Sequence, residues 1–136
     1  MTRIEYLTQI ADLFQYKAIH DPEGNEYVVY ANSVLTKIHP VEDKTAFEAV
    51  ENHVHIIDSI SKKEFETLIP VAKKLGPAVL GNLPASFPEK KFTVYVTVTM
   101  GQSLIVRFHQ QWEGESPYYN PSDFRSEKER VFAFSN

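Results

Sequence analysis

Two histidines separated by one residue form the clearest metal-binding pattern in this sequence. His53 and His55 flank Val54 in a segment rich in strand-forming residues. Alternate side chains of a strand share one face, so both imidazoles could ligate the same ion. A zinc site needs at least one further protein ligand, which the spacing does not supply. The favoured interpretation is a pair of surface histidines without a metal, and no cofactor is predicted.

A second group of chemically capable side chains alternates along a later strand. Its members are Arg107, His109, Gln111 and Glu113, joined across the strand pair by Tyr95. Arginine can bind an anion through its fork of donors, and histidine can act as a donor or a general base. The pattern predicts a polar binding surface. The competing interpretation is a solvated sheet face on which Tyr95 and His109 merely pack and hydrogen-bond.

An aromatic loop follows that strand. It begins at Trp112 and contains Tyr118 and Tyr119 between two prolines. Tyrosine and tryptophan combine a large apolar area with a polar handle, which suits partner recognition. The loop is therefore a candidate contact surface. Trp112 has the parity of the core-facing residues and is predicted to be buried, whereas one of the two tyrosines is predicted to be exposed.

Composition excludes several other classes of function. The 136-residue chain has no cysteine, which removes a disulfide framework and a thiolate nucleophile, and no nucleophile elbow or phosphate-binding loop is present. Its net charge of -4 argues against binding to nucleic acid. No segment resembles a signal peptide or a membrane span. We expect a cytoplasmic protein with neither a nucleic-acid nor a membrane partner.

The strands that carry the polar group are predicted from alternation between residues 92 and 109. Apolar residues occupy the even positions before and after a short polar break. Directly opposed residues share a face, so their numbers must sum to an even number and the loop must have an odd length. Loops of residues 101–103 and 100–102 both satisfy this condition. The first would place Tyr95 opposite His109.

The remaining elements follow from capping boxes, periodicity and turn residues. In chain order, the first half contains a helix over about residues 3–14, a hairpin of 16–20 and 26–31, a short strand at 34–38, a helix at 43–50 and a strand at 53–57. A further helix begins at Ser61, is kinked or restarted at Pro70, and stops at Gly76–Pro77. A connection to Pro88 then leads to the long hairpin, and a last strand lies at 131–134. The apolar residues Ile4, Leu7, Ile10, Ala11 and Phe14 recur at helical spacing in the first helix.

This order predicts one α+β domain over residues 1–136, with an antiparallel sheet of about five to six strands and helices packed on one face. The favoured function is a non-enzymatic protein-binding module, of which an inhibitor or toxin-neutralising protein is one concrete version. Its partner would be another protein or a second copy of the chain. The alternative is a small-ligand-binding protein or metal-dependent enzyme that uses Tyr95, Arg107 and His109, with His53 and His55 holding a metal.

Overall fold

A computed structural model describes residues 2–124 and 126–136 of the chain. The elements of this part are α1 (Arg3–Asp12), β1 (Tyr16–His20), β2 (Glu26–Tyr30), α2 (Lys44–Glu51), β3 (His53–Asp58), α3 (Lys62–Ser86), β4 (Phe92–Thr99), β5 (Ser103–Gln110), a short 3₁₀ helix (Pro121–Asp123) and β6 (Glu129–Ser135). No helix of these residues combines the length and apolar character that crossing a bilayer requires.

The six strands form two antiparallel sheets, which confirms the α+β class. β1 and β2 make a hairpin, and the larger sheet has the order β3-β5-β4-β6. α3 packs across one face of the larger sheet, mainly on β4 and β6. We call this the core face and the opposite one the outer face. The outer face carries the polar side chains that the sequence singled out.

The β4–β5 hairpin has the odd loop that parity requires. Val96 lies opposite Val106, so the loop is 100–102 rather than 101–103. The amide of Gln102 donates to the carbonyl of Thr99 at 3.0 Å, and Gly101 takes a φ of 77° that favours glycine. As a result Tyr95 lies opposite Arg107, and His109 is its diagonal neighbour on the outer face.

The main core lies between α3 and the larger sheet. Even-numbered side chains of β4 and β5 are buried there with residues from α3 and the first hairpin. Gly76 allows α3 to pack closely against β6, because a β-carbon at this position would overlap the ring of Phe134. A second, smaller core contains Ile19, Tyr27 and Val29, with Trp112 packed against it. β2 therefore buries side chains on both of its faces.

α3 is one helix of 25 residues, so the predicted restart at Pro70 and the predicted stop at Gly76–Pro77 are both wrong. Its three prolines, Pro70, Pro77 and Pro84, are spaced by seven residues and lie along one side of the helix. Pro70 and Pro77 are exposed. The carbonyl groups that lose their donors therefore face solvent, where water can satisfy them, and the helix continues.

The short strand predicted at residues 34–38 does not form. Ser33 closes a turn instead, with its amide bonded to the carbonyl of Tyr30 at 3.0 Å and its hydroxyl accepting from the amide of Leu35 at 3.1 Å. Local bonds of this kind compete with strand pairing. Val34 is left 92% exposed, whereas Leu35 packs on the second core.

α1 begins with the predicted capping box of Thr2 and Glu5 and ends at Asp12, two residues before the predicted end. None of its residues is buried. Its apolar stripe faces solvent, since Ile4 is 76% and Leu7 67% exposed. The contact with the main core comes instead from Leu13, immediately after the helix.

Candidate functional site

A buried carboxylate on α2 joins the two sheets. Glu48 is completely inaccessible to solvent. Its Oε1 accepts from the amide of Gln110 and the indole of Trp112, both at 2.7 Å, and its Oε2 accepts from the amide of Val28 at 2.9 Å and the side chain of Gln110 at 2.8 Å. Burial raises the pKa of Glu48, and these donors oppose the rise.

Asn52, one helical turn after Glu48, completes this junction. Its Oδ1 accepts from the amide of Tyr30 at 3.2 Å, and its Nδ2 donates to the carbonyl of Val28 at 2.8 Å. Its backbone carbonyl accepts from the amide of Phe108 at 3.2 Å. Backbone groups at the free edge of β2 thus bond to side chains of α2 and of the residue that follows it rather than to another strand. Glu48 and Asn52 likewise accept from backbone amides at the end of β5, beyond the residues that pair with β3.

The loop after β5 is anchored on the start of α2. Glu115 accepts from the amide and the hydroxyl of Thr45, both at 2.7 Å, and from the amide of Lys44 at 3.2 Å. A carboxylate is favourable at this end of a helix because the first amides are unpaired. These bonds lower the pKa of Glu115 against the opposing effect of partial burial. Glu113, at the loop tip, is exposed.

The same loop folds over the outer face and buries Tyr95 and His109. His109 Nδ1 lies 2.7 Å from the carbonyl oxygen of Gln110, which only accepts, so Nδ1 carries the proton. Nε2 then accepts from the hydroxyl of Tyr95 at 3.0 Å, and that hydroxyl accepts from the amide of Tyr119 at 3.3 Å. Burial lowers the pKa of His109, which favours this neutral ring.

Arg107 joins this cluster by stacking. Its guanidinium carbon lies 5.4 Å from the ring centres of both Tyr118 and Tyr119. Its Nη1 donates to the carbonyl of Ala49 near the end of α2 at 2.9 Å. The prediction that one tyrosine is exposed is wrong, since both are half-buried against this guanidinium.

The other predicted site residues lie apart from this cluster or at its border. The imidazoles of His53 and His55 are neighbours, 5.6 Å apart between ring centres, and bond to the carbonyl of Val50 and to Asp58. Within residues 2–124 and 126–136, no three side chains of ligand type are grouped to hold a metal. Gln111 donates to the carbonyl of Phe92 at the end of the sheet.

Trp112 is half-buried rather than fully buried, because it belongs to the second core and not to the core face. Its indole is held between the ring of Tyr27, 5.3 Å away between centres, and Lys44, whose Nζ lies 5.5 Å from the indole ring. With its N–H bonded to Glu48, this side chain fixes the direction in which the loop leaves β5.

β6 is an edge strand of the larger sheet, and its bonding to β4 can be assigned residue by residue. The amide of Asn136 donates to the carbonyl of Phe92, and the amide of Met100 donates to the carbonyl of Lys128. Bonded pairs alternate along an antiparallel ladder. The even-numbered residues of β6 therefore bond to β4, and the odd-numbered residues direct their amide and carbonyl groups outward.

These outward groups are open in the part of the chain that the structure describes. The carbonyl of Glu129 accepts from Nη1 of Arg130 at 3.1 Å. The outward groups of Val131, Ala133 and Ser135 have no hydrogen-bond partner among the described residues, but Val131 is buried, so the accessible groups are those of Ala133 and Ser135. Both edge strands of the larger sheet have a flanking element, which is α1 for β3 and the 3₁₀ helix Pro121–Asp123 for β6. β6 thus presents free backbone donors and acceptors at its C-terminal end, on Ala133 and Ser135.

Two grooves border this open edge. The outer groove, of about 460 Å³, lies between β6 and the loop and is lined by Tyr95, Pro117, Tyr119, Pro121, Ala133 and Ser135. The helix groove, of about 840 Å³, lies beside the start of α3 and is lined by Lys62, Phe65, Ile69, Met100, Lys128 and Arg130. A strand placed beside β6 would direct alternate side chains to the two sides of the sheet.

No known protein family, curated protein or solved structure matches this chain.

Sequence reasoning missed Glu48, Asn52 and the open edge of β6. Glu48 and Asn52 are four residues apart and so share a helix face, which was a usable signal. The donors that they satisfy come from distant strands, and strand order is not readable from periodicity.

Replacing Glu48 by glutamine should lower the free energy of unfolding by about 2–4 kcal/mol. Each carboxylate oxygen accepts two N–H groups, so either orientation of the amide would set an NH₂ group against two donors. Chemical denaturation measures the loss. Glu42→Gln, at an exposed position just before α2, removes the same charge and should cost less than about 0.5 kcal/mol. Equal effects of the two substitutions would contradict the role assigned to Glu48.

His109 should make stability fall as the pH drops below about 6.5, its ordinary pKa. Its pKa is lowered in the folded protein, so below that value the unfolded chain binds a proton that the folded chain resists. Denaturation of the protein and of His109→Gln between pH 5.5 and 7.5 isolates this contribution. The variant should lose less stability on acidification, and parallel profiles would contradict the assignment.

Proposed function

We propose that the protein is a non-enzymatic binding module that captures an extended segment of another protein as an added strand beside β6. The observation that carries this proposal is the pair of exposed residues Ala133 and Ser135, whose outward backbone groups have no partner among the described residues. Strand addition to a sheet edge derives affinity from main-chain hydrogen bonds and specificity from side-chain pockets. An inhibitor or toxin-neutralising protein is one concrete form, because such a protein needs to bind and not to react.

The 3₁₀ helix Pro121–Asp123 contacts β6 and Val131 is buried, but the end of β6 at Ala133 and Ser135 is exposed, and this exposed end supports the proposal. Natural proteins guard exposed edges with prolines, bulges or covering elements, because an open edge invites pairing with other chains. β6 contains no proline and pairs with β4 over seven residues without a register shift. The side chains of Ala133 and Ser135 beside the open groups are exposed. An incoming strand therefore meets small residues at this end of the edge.

The loop over the outer face supports the same function rather than catalysis. Tyr95 and His109 are only 1% and 2% exposed, and their polar atoms bond to each other and to backbone groups. Their arrangement holds Tyr119 in place as a wall of the outer groove. The cluster thus shapes a surface for side chains of a bound segment.

A small-ligand site in the outer groove is the second candidate. The hydroxyls of Thr93 and Ser135 face each other at 2.9 Å on its lining, and Tyr119 offers a ring and a hydroxyl. A groove of about 460 Å³ is within the range of small-molecule sites. Such a ligand would not need the amide of Ala133, which separates the two candidates experimentally.

Peptides selected from a random displayed library should bind the protein and should lose at least about tenfold in affinity to Ala133→Pro. The proline removes an outward N–H and leaves the bonds of Phe132 and Phe134 to β4 intact. Isothermal titration of the selected peptides measures the change, and circular dichroism verifies that the variant is folded.

Ala133→Thr is the matched control, since threonine suits a strand and keeps the outward amide. It should bind the selected peptides with nearly the original affinity. Unchanged binding to folded Ala133→Pro, or a library that yields no binding peptide, would contradict strand addition at β6.

A further inference from the structure

We propose that the segment captured beside β6 is acidic and places an apolar side chain between its acidic residues in the helix groove. This inference rests on the strand-addition function proposed above and adds the chemical class of the partner. The supporting observations are the excess of positive charge in the helix groove and the apolar side chains on its floor. The chain as a whole carries a net charge of -4, so a cationic groove is a local feature.

Three cationic and two acidic side chains line the groove. Lys62, Lys128 and Arg130 line it, and Lys73 lies close by, with its Nζ 5.7 Å from the ring centre of Phe132 on β6. None of the four forms an ion pair with a described residue. Two acidic residues, Glu66 and Glu127, also line the groove, which leaves it with an excess of positive charge.

The floor of the groove is apolar. The ring of Phe65 is almost fully buried, and Ile69 and Met100 are half-buried beside it. The guanidinium carbon of Arg130 lies 5.9 Å from the ring centre of Phe65, so a cation borders the apolar floor directly. A volume of about 840 Å³ accommodates a leucine-sized or aromatic side chain.

The register of β6 connects this groove to the open edge. Arg130, Phe132 and Phe134 have the even parity of the core face, on which α3 packs. Side chains of an added strand that point to this face would pass Arg130 at one end and Phe134 at the other. An acidic residue near Arg130 and Lys128 would meet unpaired cations, and its neighbour two positions along would meet the apolar floor.

Two synthetic nine-residue peptides test the inference. Both have threonine at the odd positions, and the even positions read Glu-Leu-Glu-Val in one and Lys-Leu-Lys-Val in the other. The glutamate peptide should bind about tenfold more tightly at low ionic strength, with the difference falling toward about twofold near 0.5 M salt. Titration calorimetry gives the affinities, and amide exchange of β6 reports whether either peptide adds as a strand.

The charge-reversal variant combines Lys62→Glu with Lys128→Glu, both at exposed positions of the groove. It should invert the preference between the two peptides. The control combines Lys63→Glu with Lys74→Glu, which makes the same charge change at exposed positions of α3 that do not line the groove. The control should keep the preference for glutamate.

The outcomes separate the two proposals. If both peptides slow exchange of the β6 amides with equal affinity, strand addition holds and the acidic preference is overturned. An equal response of the two charge-reversal variants would also overturn it, because the preference would then reflect overall charge. If neither peptide slows exchange at β6, strand addition fails, and the preference fails with it.

Discussion

The carboxylate of Glu48 is the interaction on which the arrangement of this protein depends. Four N–H groups from β2, β5 and the side chains of Gln110 and Trp112 converge on two oxygen atoms that no solvent reaches. An acceptor buried this deeply is tolerated only when its hydrogen bonds are complete. The two sheets are therefore joined by polar side chains of one short helix rather than merged into a single ladder.

The candidate binding surface follows from this junction. Glu48 holds Trp112, and Glu115 returns to the start of the same helix, so the loop after β5 is fixed at both points. From there the loop crosses the outer face, where Tyr95 and His109 hold its backbone. Its far side forms the wall of the outer groove. This arrangement satisfies the edge of β2 and the end of β5, while the edge of β6 is left open at Ala133 and Ser135.

Local patterns in the sequence were sufficient for some parts of this fold. Parity of apolar residues predicted the odd loop of the β4–β5 hairpin, and the capping boxes at Thr2 and Ser61 mark the helix starts. The predicted end of α3 at Gly76–Pro77 was wrong, because whether a proline ends a helix depends on whether the carbonyl groups that lose their donors face solvent. Glu48 and the open edge of β6 depend on strand order, which is set by contacts between residues distant in the chain.

Amide exchange along β6 tests strand addition most directly. In the free protein, the outward amides of Ala133 and Ser135 should exchange rapidly, while those of Phe132 and Phe134 are protected by their bonds to β4. A bound peptide should slow the amides of Ala133 and Ser135 at least about tenfold and change those of Phe132 and Phe134 little, which gives an alternating pattern. A peptide that binds tightly without slowing the outward amides would contradict the proposed mode of binding.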